Sequence, residues 1–323
     1  MKSTIASLLL FSVLGSSEHQ NTIRTDVNLV SAYFTVRDGK GKLMTGLRKE
    51  DFSVTEDGRS QTITNFAQHS DVPLNVGILL DTSTSLASTL GLEADAASGF
   101  FRTVMRKGDL GFLARYASVI EILQVPTEQA DLLADKAQTI TKGGRVLPPA
   151  PRPSITRPFP FPMPKRTARL YDTVGSTVGK FLKDELGRKA IVIVALADDA
   201  GSESSLRDAL RTLKENDVIA FVLQVQHDQR DDDKCDLDHI FRGGENRLGR
   251  LAEETGGRVI RVEGFRKMKK AFEEVAEELH QQYSLGYRPA NQNWDGAFRR
   301  LEIRAPRGLR VSVRDGYYAT PRK

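Results

Sequence analysis

Hydrophobic and polar positions change their pattern twice along the chain. Between Val27 and Phe66, apolar and polar residues alternate, and Asp38-Gly39 and Asp57-Gly58 separate the alternating runs. The same alternation returns from Tyr283 to Tyr318, again with Asp-Gly pairs. A period of two predicts strands with one buried face, and Asp-Gly pairs favour hairpin turns.

Each alternating segment is too small to form a stable sheet by itself, because three or more strands with a covered face are needed. We therefore predict that residues 22–70 and 283–319 pair into one smaller all-β, sandwich-like domain built from both chain ends.

Residues 72–282 follow a different pattern. Their apolar runs (LNVGILLD, DLGFLARY, SVIEILQV, KAIVIVALAD, DVIAFVLQV) are nearly continuous, as expected of strands buried on both faces. Between them apolar residues recur at helical spacing, as at Leu170, Val174 and Val178. Alternating strands and helices predict an α/β domain with a doubly wound, mostly parallel sheet. Ligands of such sheets bind beyond the carboxyl ends of the strands.

The first buried run ends in Asp81-Thr82-Ser83-Thr84-Ser85. In an extended turn, residues two apart can point the same way, so Asp81, Ser83 and Ser85 could offer oxygen ligands to one cation. Such hard oxygens are the ligands that Mg²⁺ prefers. The alternative is structural, with Ser85 capping the helix that follows.

This Asp-x-Ser-x-Ser pattern resembles the metal-ion-dependent adhesion site of von Willebrand factor type A domains. The resemblance implies two further ligands, Asp198 at the end of KAIVIVALAD and Thr167 ahead of Tyr171-Asp172. The sequence departs from the family pattern at two places: Asp199 stands where a glycine is expected, and Lys165-Arg166 replace the glycines before the threonine.

The layout of the chain also resembles bacterial, acidobacterial-type von Willebrand factor A-related secreted proteins. The similar segments are Glu50-Asp51-Phe52, Glu254-Thr255-Gly256-Gly257 and Asp315-Gly316-Tyr317-Tyr318. The resemblance implies a von Willebrand factor A-like domain that holds Mg²⁺, or Mn²⁺ or Ca²⁺, and binds an acidic residue of a protein partner. It implies no catalytic base, and we expect no enzyme activity. The metal ligands that it implies are Asp81, Ser83, Ser85, Thr167 and Asp198.

A second interpretation is enzymatic. Asp81, with Asp198-Asp199 after a later strand, also resembles magnesium-dependent phosphohydrolases of the haloacid dehalogenase type, in which Asp81 would be the nucleophile. Phosphatases of that family carry a second aspartate two residues later for acid–base catalysis. Ser83 occupies that position and cannot perform this role.

The N-terminus predicts export. Met1-Lys2, the apolar run of residues 4–14 and the small residues 15–17 are typical of a signal peptide over 1–17. The alternative is a buried N-terminal element. No later apolar run approaches the roughly 20 residues of a membrane-spanning helix, so we expect no transmembrane segment in the mature chain and a secreted or periplasmic protein.

Composition narrows the functional classes. The 47 Lys+Arg and 42 Asp+Glu are scattered along the chain and do not indicate a nucleic-acid surface. A single cysteine, Cys235, excludes an intramolecular disulfide and a cysteine zinc cluster.

The proline-rich insertion 147–165 predicts extended polyproline-like chain, either a docking arm or a surface insertion. The acidic run 231–238 lacks the glycine and glutamate of an EF-hand loop, which favours a solvated charge run over a calcium site.

Overall fold

The computed structural model describes residues 29–68, 72–82, 90–142, 168–195, 199, 201–226, 246–264 and 267–321, apart from the side chains of 141, 142 and 226. The predicted signal peptide, the proline-rich insertion, Cys235 and the acidic run 231–238 lie outside these residues. Among the described residues, no helix has the length and apolar character to cross a membrane.

The described chain contains fourteen strands and six α-helices in two architectural units. The N-terminal strands are β1 (Val30–Arg37), β2 (Ser53–Glu56), β3 (Arg59–Gln61) and β4 (Ile63–Gln68), with a 3₁₀ turn at Lys49–Asp51. The central elements are β5 (Leu74–Asp81), α1 (Leu90–Val104), β6 (Leu110–Tyr116), β7 (Ile120–Thr127), α2 (Ala130–Lys142), α3 (Leu170–Phe181), β8 (Arg188–Ala195), α4 (Leu206–Glu215), β9 (Val218–Gln226), α5 (246–253), β10 (Val259–Glu263) and α6 (Met268–His280). The C-terminal strands are β11 (Tyr283–Tyr287), β12 (Phe298–Arg304), β13 (Arg310–Ser312) and β14 (Gly316–Tyr318).

The central unit is a six-stranded sheet with helices on both faces, in the order β10-β9-β8-β5-β6-β7. Helices α1, α2 and α6 pack on one face and α3, α4 and α5 on the other. Every residue of β5 is buried, which explains its nearly unbroken apolar sequence. Its one glycine, Gly77, has a packing role, because an added Cβ would lie 2.0 Å from the ring of Phe112. The predicted α/β fold is confirmed.

Strand β7 differs from its prediction. The run SVIEILQV predicts a strand buried on both faces, but β7 lies at the edge of the sheet, antiparallel to β6, and none of its residues is fully buried. An edge strand has only one neighbour, so its apolar residues are only partly covered. Ile122 and Leu123 pack against the core, whereas Val125 is 53% exposed. Sequence pattern alone does not distinguish such an edge strand from a central one.

The two chain ends form a pair of four-stranded sheets, with the orders β13-β1-β11-β4 and β14-β12-β2-β3. Both sheets contribute to one core, in which Phe34, Phe52 and Tyr283 pack ring against ring within 5.1–5.6 Å. The predicted all-β unit built from both chain ends is therefore confirmed. The residue limits given above for the domains stay predictions.

A buried polar network crosses this core. Glu56 and Arg299 are each 2% exposed, and the hydroxyls of Tyr287 and Tyr317 both donate to Glu56 Oε2 at 2.8 Å. Burial and the Glu56 carboxylate raise the pKa of Tyr317 to about 12. Because Glu56 comes from the N-terminal segment and its partners from the C-terminal one, the network joins the chain ends.

The sandwich lies at the amino ends of the parallel strands. Helix α6 leads directly into β11, and Asp217, just before β9, forms an ion pair with Arg314, between β13 and β14. Lys214 at the end of α4 pairs with Asp315 at 2.9 Å. The carboxyl ends of the strands, where Asp81 lies, are therefore at the opposite end of the sheet from the sandwich.

Candidate metal centre

Asp81 is the last residue of β5 and is only 2% exposed. Strand β5 lies between β6 and β8, and the chain winds outward from it in both directions, so its carboxyl end is the topological switch point of the sheet. The backbone N–H of Thr82 donates to the carbonyl of Tyr116 at 2.8 Å, which fixes the chain just beyond Asp81 against β6. The position matches the crevice where α/β sheets bind their ligands.

The buried side chain of Tyr116 lies near several carboxylates at the carboxyl ends of the strands. Tyr116 is 1% exposed, and its hydroxyl donates to the carbonyl of Val194 at 3.1 Å. Burial raises the pKa of Tyr116 well above its ordinary value, and the charges of Asp81, Glu93 and Asp199 raise it further. Three carboxylates, those of Asp81, Glu93 and Asp199, therefore lie near enough to the Tyr116 hydroxyl to influence its ionisation.

Glu93 was not predicted from sequence. It lies in the first turn of α1 and is 1% exposed, on the same side of the helix as Leu90, Ala94 and Ala97. The sequence does contain a sign of its burial. When α1 is drawn as a helical projection, Glu93 falls on the otherwise apolar face, three residues after Leu90. Acids are almost never fully buried unless they are paired or bind a ligand.

Asp199 joins the loop after β8 to the start of α3. Its Oδ1 accepts from the backbone N–H of Tyr171 at 3.1 Å and from the Ser202 hydroxyl at 2.5 Å, and its Oδ2 accepts from the Ser202 N–H at 3.0 Å. The residue that replaces the expected glycine therefore shapes the loop, because both its oxygens accept hydrogen bonds from neighbouring chain.

Asp172 forms a second connection between the same segments. Its carboxylate accepts from the N–H groups of Glu203 and Ser204 at 3.0 and 2.9 Å and pairs with Arg169 at 2.8 Å. Burial opposes its ionisation, but these hydrogen bonds dominate and lower its pKa from 3.8 to about 2. The Tyr171-Asp172 pair thus fixes the loop after β8 by hydrogen bonds.

Of the five predicted ligands, the structure describes Asp81; Ser83, Ser85, Thr167 and Asp198 lie outside the described residues. The structure does describe the residues that follow Thr167 and Asp198 in the sequence. Ala168, after Thr167, accepts from the N–H of Gly201 at 3.2 Å, and Asp199 follows Asp198. Within the described ranges, no three His, Cys, Asp or Glu side chains form a metal-binding group.

The donor chemistry of the described edge fits a hard cation. Asp81 is buried at the switch point, the charges around Tyr116 are carboxylates, and the motif residues that follow Asp81 carry hydroxyls. Oxygen donors without histidine or cysteine suit Mg²⁺, Mn²⁺ or Ca²⁺. Completion of such a site requires the predicted serine, threonine and Asp198 ligands.

Comparison with known proteins gives distant structural likenesses. No protein-family model matches the sequence, and no curated protein does. Proximal thread matrix protein 1 from the mussel byssus is similar over 76% of this chain and 50% of its own, at 11% identity and a TM-score of 0.47. Another structure of it, with a zinc-occupied MIDAS motif, has 10% identity and a TM-score of 0.45 over 65% of this chain and 48% of its own. This chain thus spans about half the length of the mussel protein.

Bacterial structures are similar to a comparable degree. A von Willebrand factor type A protein from Catenulispora acidiphila matches over 90% of this chain and 73% of its own, at 9% identity and a TM-score of 0.46. BatB from Bacteroides thetaiotaomicron matches over 64% of this chain and 98% of its own, at 15% identity and a TM-score of 0.44. Likenesses at this level do not assign a family or an activity.

Proposed function

We propose that this protein is a secreted or periplasmic binding module that uses a metal-ion-dependent adhesion site to bind an acidic residue of a protein partner. The observation that carries the proposal is the position of Asp81. A carboxylate only 2% exposed lies at the switch point of a doubly wound sheet, and Ser83 and Ser85 follow at the spacing of the adhesion motif. Export is proposed on the predicted signal peptide alone.

The chain's own residues have distinct roles in this proposal. Asp81 supplies a buried negative charge, and Ser83, Ser85 and Thr167 supply neutral hydroxyl oxygens, with Asp198 completing the set. A divalent cation held by these residues would supply a concentrated positive charge that attracts a partner carboxylate. Asp199 and Asp172 hold the loop after β8 against α3 and thereby position this edge.

We propose no catalytic step. The phosphohydrolase alternative requires a second acid two residues after Asp81, and that position is Ser83. Release of p-nitrophenol from p-nitrophenyl phosphate separates the two functions. The binding-module proposal expects no magnesium-dependent turnover, whereas turnover lost in Asp81→Asn would establish the enzymatic alternative.

The metal part is tested by calorimetry of Mg²⁺ and Mn²⁺ binding to the wild-type protein and to Asp81→Ala. We expect binding to fall at least about a hundredfold in Asp81→Ala, since the motif loses its charged ligand. Asp95→Ala, at an exposed position of α1, is the control and should bind as the wild type does. Unchanged affinity in a folded Asp81→Ala protein would contradict the assignment.

The partner is tested by pull-down from an envelope fraction of the producing organism. A partner that binds through the site should be captured with Mg²⁺, lost with EDTA, recovered when Mg²⁺ is restored, and not captured by Asp81→Ala. A partner retained equally in EDTA would place the binding surface elsewhere.

A further inference from the structure

Basic side chains are concentrated at one end of the β-sandwich. The loop from Arg37 to Ser53 joins β1 to β2, and the loop from Arg304 to Arg310 joins β12 to β13, so both loops cross between the same two sheets. Arg37 lies opposite Arg310 in one sheet, and Ser53 lies opposite Arg304 in the other, which places the two loops side by side. We call the surface formed by residues 37–51 and 302–310 the basic end.

The basic end has a large share of the net charge of the chain. Its 24 residues include 8 Lys or Arg and 4 Asp or Glu, a formal charge of +4, while the whole chain has +5. Two of its arginines are held in ion pairs, Arg37 with Glu278 at 2.5 Å and Arg304 with Glu302 at 2.8 Å. The other six basic residues are exposed and form no ion pair with any described residue: Lys40, Lys42, Arg48, Lys49, Arg307 and Arg310.

Three acidic residues remain at the basic end, and they do not balance the six unpaired cations. Asp38 Oδ1 accepts from two backbone N–H groups of the turn after β1, at 2.8 and 2.9 Å. Asp51 Oδ2 accepts from the backbone N–H of Arg48 at 2.7 Å, and Glu50 is the third acid. An excess of three positive charges therefore stays on an exposed surface, and such an excess attracts anions.

The unpaired cations are spread across the basic end and do not converge on one point. Lys40 and Lys42 belong to the turn that follows a strand of one sheet, whereas Arg48 and Lys49 precede a strand of the other. Packed sheets lie about 10 Å apart. An array of this width matches repeated charges along an extended chain better than it matches one small anion.

The other side chains of the basic end distinguish among polyanions. It contains no aromatic residue on which the bases of a single-stranded nucleic acid would stack, and no α-helix that would enter a duplex groove. It also exposes no large hydrophobic residue, because Met44, Leu47 and Leu309 pack against the sandwich core. Membrane-surface elements add apolar side chains to their charges. An acidic polysaccharide requires neither feature and is therefore the better match.

We propose that the basic end binds a linear acidic polysaccharide. Carboxylates of the polymer pair with the guanidinium groups of Arg48, Arg307 and Arg310, and with the lysine ammonium groups beside them. This site is separate from the proposed metal site, because the sandwich lies at the amino ends of the parallel strands and Asp81 at their carboxyl ends. It does not depend on a bound cation.

Fluorescence anisotropy of a labelled galacturonate octamer, titrated with the full chain in the presence of EDTA, tests the proposal. We expect saturable binding that weakens as salt rises, because a polyanion releases counterions when it binds. The methyl ester of the octamer has the same backbone without the charges and should bind at least about tenfold more weakly. Equal binding of acid and ester, or no binding of the acid at low salt, would overturn the proposal. EDTA keeps the result independent of the metal site.

Glutamine substitutions locate the bound polymer. The triple variant Lys42→Gln, Arg307→Gln and Arg310→Gln removes three of the six unpaired cations at exposed positions. It should weaken octamer binding at least about tenfold and make the salt dependence shallower, because fewer counterions are released. Octamer binding equal to that of the wild type would contradict the proposal.

The control is a triple variant at exposed lysines of the central unit, Lys107→Gln, Lys183→Gln and Lys270→Gln. It changes the net charge by the same amount and should bind the octamer as the wild type does. Equal losses in the two triple variants would show nonspecific attraction and contradict the proposal. Tighter binding to phosphatidylglycerol vesicles or to duplex DNA, at the same salt and the same concentration of charged groups, would assign the basic end to another polyanion and overturn the proposal.

Discussion

The carboxylate of Asp199 accepts a hydrogen bond from the backbone N–H of Tyr171 at 3.1 Å. The first residue belongs to the loop after β8 and the second to the first turn of α3, where N–H groups lack partners within the helix. The bond therefore satisfies a helix terminus and joins two segments of the candidate metal edge.

Asp199→Gly should destabilise the contact between the loop after β8 and α3. The substitution removes three hydrogen bonds, two of them from backbone N–H groups, and we expect the free energy of unfolding to fall by about 1–3 kcal/mol. Asp199→Asn keeps an acceptor for Tyr171 and should lose less. Denaturant unfolding of both variants checks the expectation, and a stability of Asp199→Gly equal to that of the wild type would show that these bonds contribute nothing.

Glu278 should be the most sensitive ionic residue between the two units. It is fully buried on α6, and its carboxylate binds Thr35 Oγ1 at 3.0 Å, Arg37 at 2.5 Å and Arg258 at 2.8 Å. Glu278→Gln would leave two arginines without their shared carboxylate, so we expect a loss of about 3–5 kcal/mol in the free energy of unfolding.

Glu274→Gln is the matched control on the same helix. Glu274 pairs with Arg258 at 3.2 Å but is 39% exposed, and we expect its replacement to cost at most about 1 kcal/mol. Similar losses in the two variants would mean that burial of the Glu278 cluster has no energetic consequence.

The stability contributed by Asp172 should disappear in acid. Its folded pKa of about 2 lies below the ordinary value of 3.8, so the folded state favours the ionised form. The corresponding stabilisation of about 2 kcal/mol is complete above about pH 4 and is lost as the pH falls through about 2. The difference in stability between wild type and Asp172→Asn should therefore shrink over that window. A difference independent of pH would contradict this, and Asp184→Asn, on an exposed loop, should show little difference at any pH.

Removal of residues 283–323 should expose the N-terminal strands to protease. Strand β11 lies between β1 and β4 in its sheet, so its loss leaves both without a common neighbour. We expect early cleavage within residues 30–68, mapped by mass spectrometry, whereas removal of residues 322–323 alone should leave the fragment pattern unchanged. Continued protection of residues 30–68 in the long truncation would show that they fold without the C-terminal strands.

The sequence determines the class of fold because burial leaves a local pattern. A strand covered on both faces needs apolar side chains at nearly every position, so LNVGILLD predicts β5 and the polar residue that ends it marks Asp81. Alternation at both chain ends likewise predicts one-sided strands, and the need to cover them predicts their pairing. Of the predicted metal ligands, Asp81 is the one that the structure describes, buried at the switch point of the sheet. Its role as a ligand stays a prediction.

Tertiary structure decides what depends on neighbours distant in sequence. The edge position of β7 follows from which strand lies beside it, and its own apolar residues do not encode that choice. Thr35 and Glu278 are 243 residues apart, so no local pattern predicts their hydrogen bond. Tyr171 and Asp199 are 28 residues apart, so their hydrogen bond is likewise not encoded in any local pattern. Periodicity specifies which face of an element is buried, whereas the partners of a buried polar group are fixed only when the chain has brought them together.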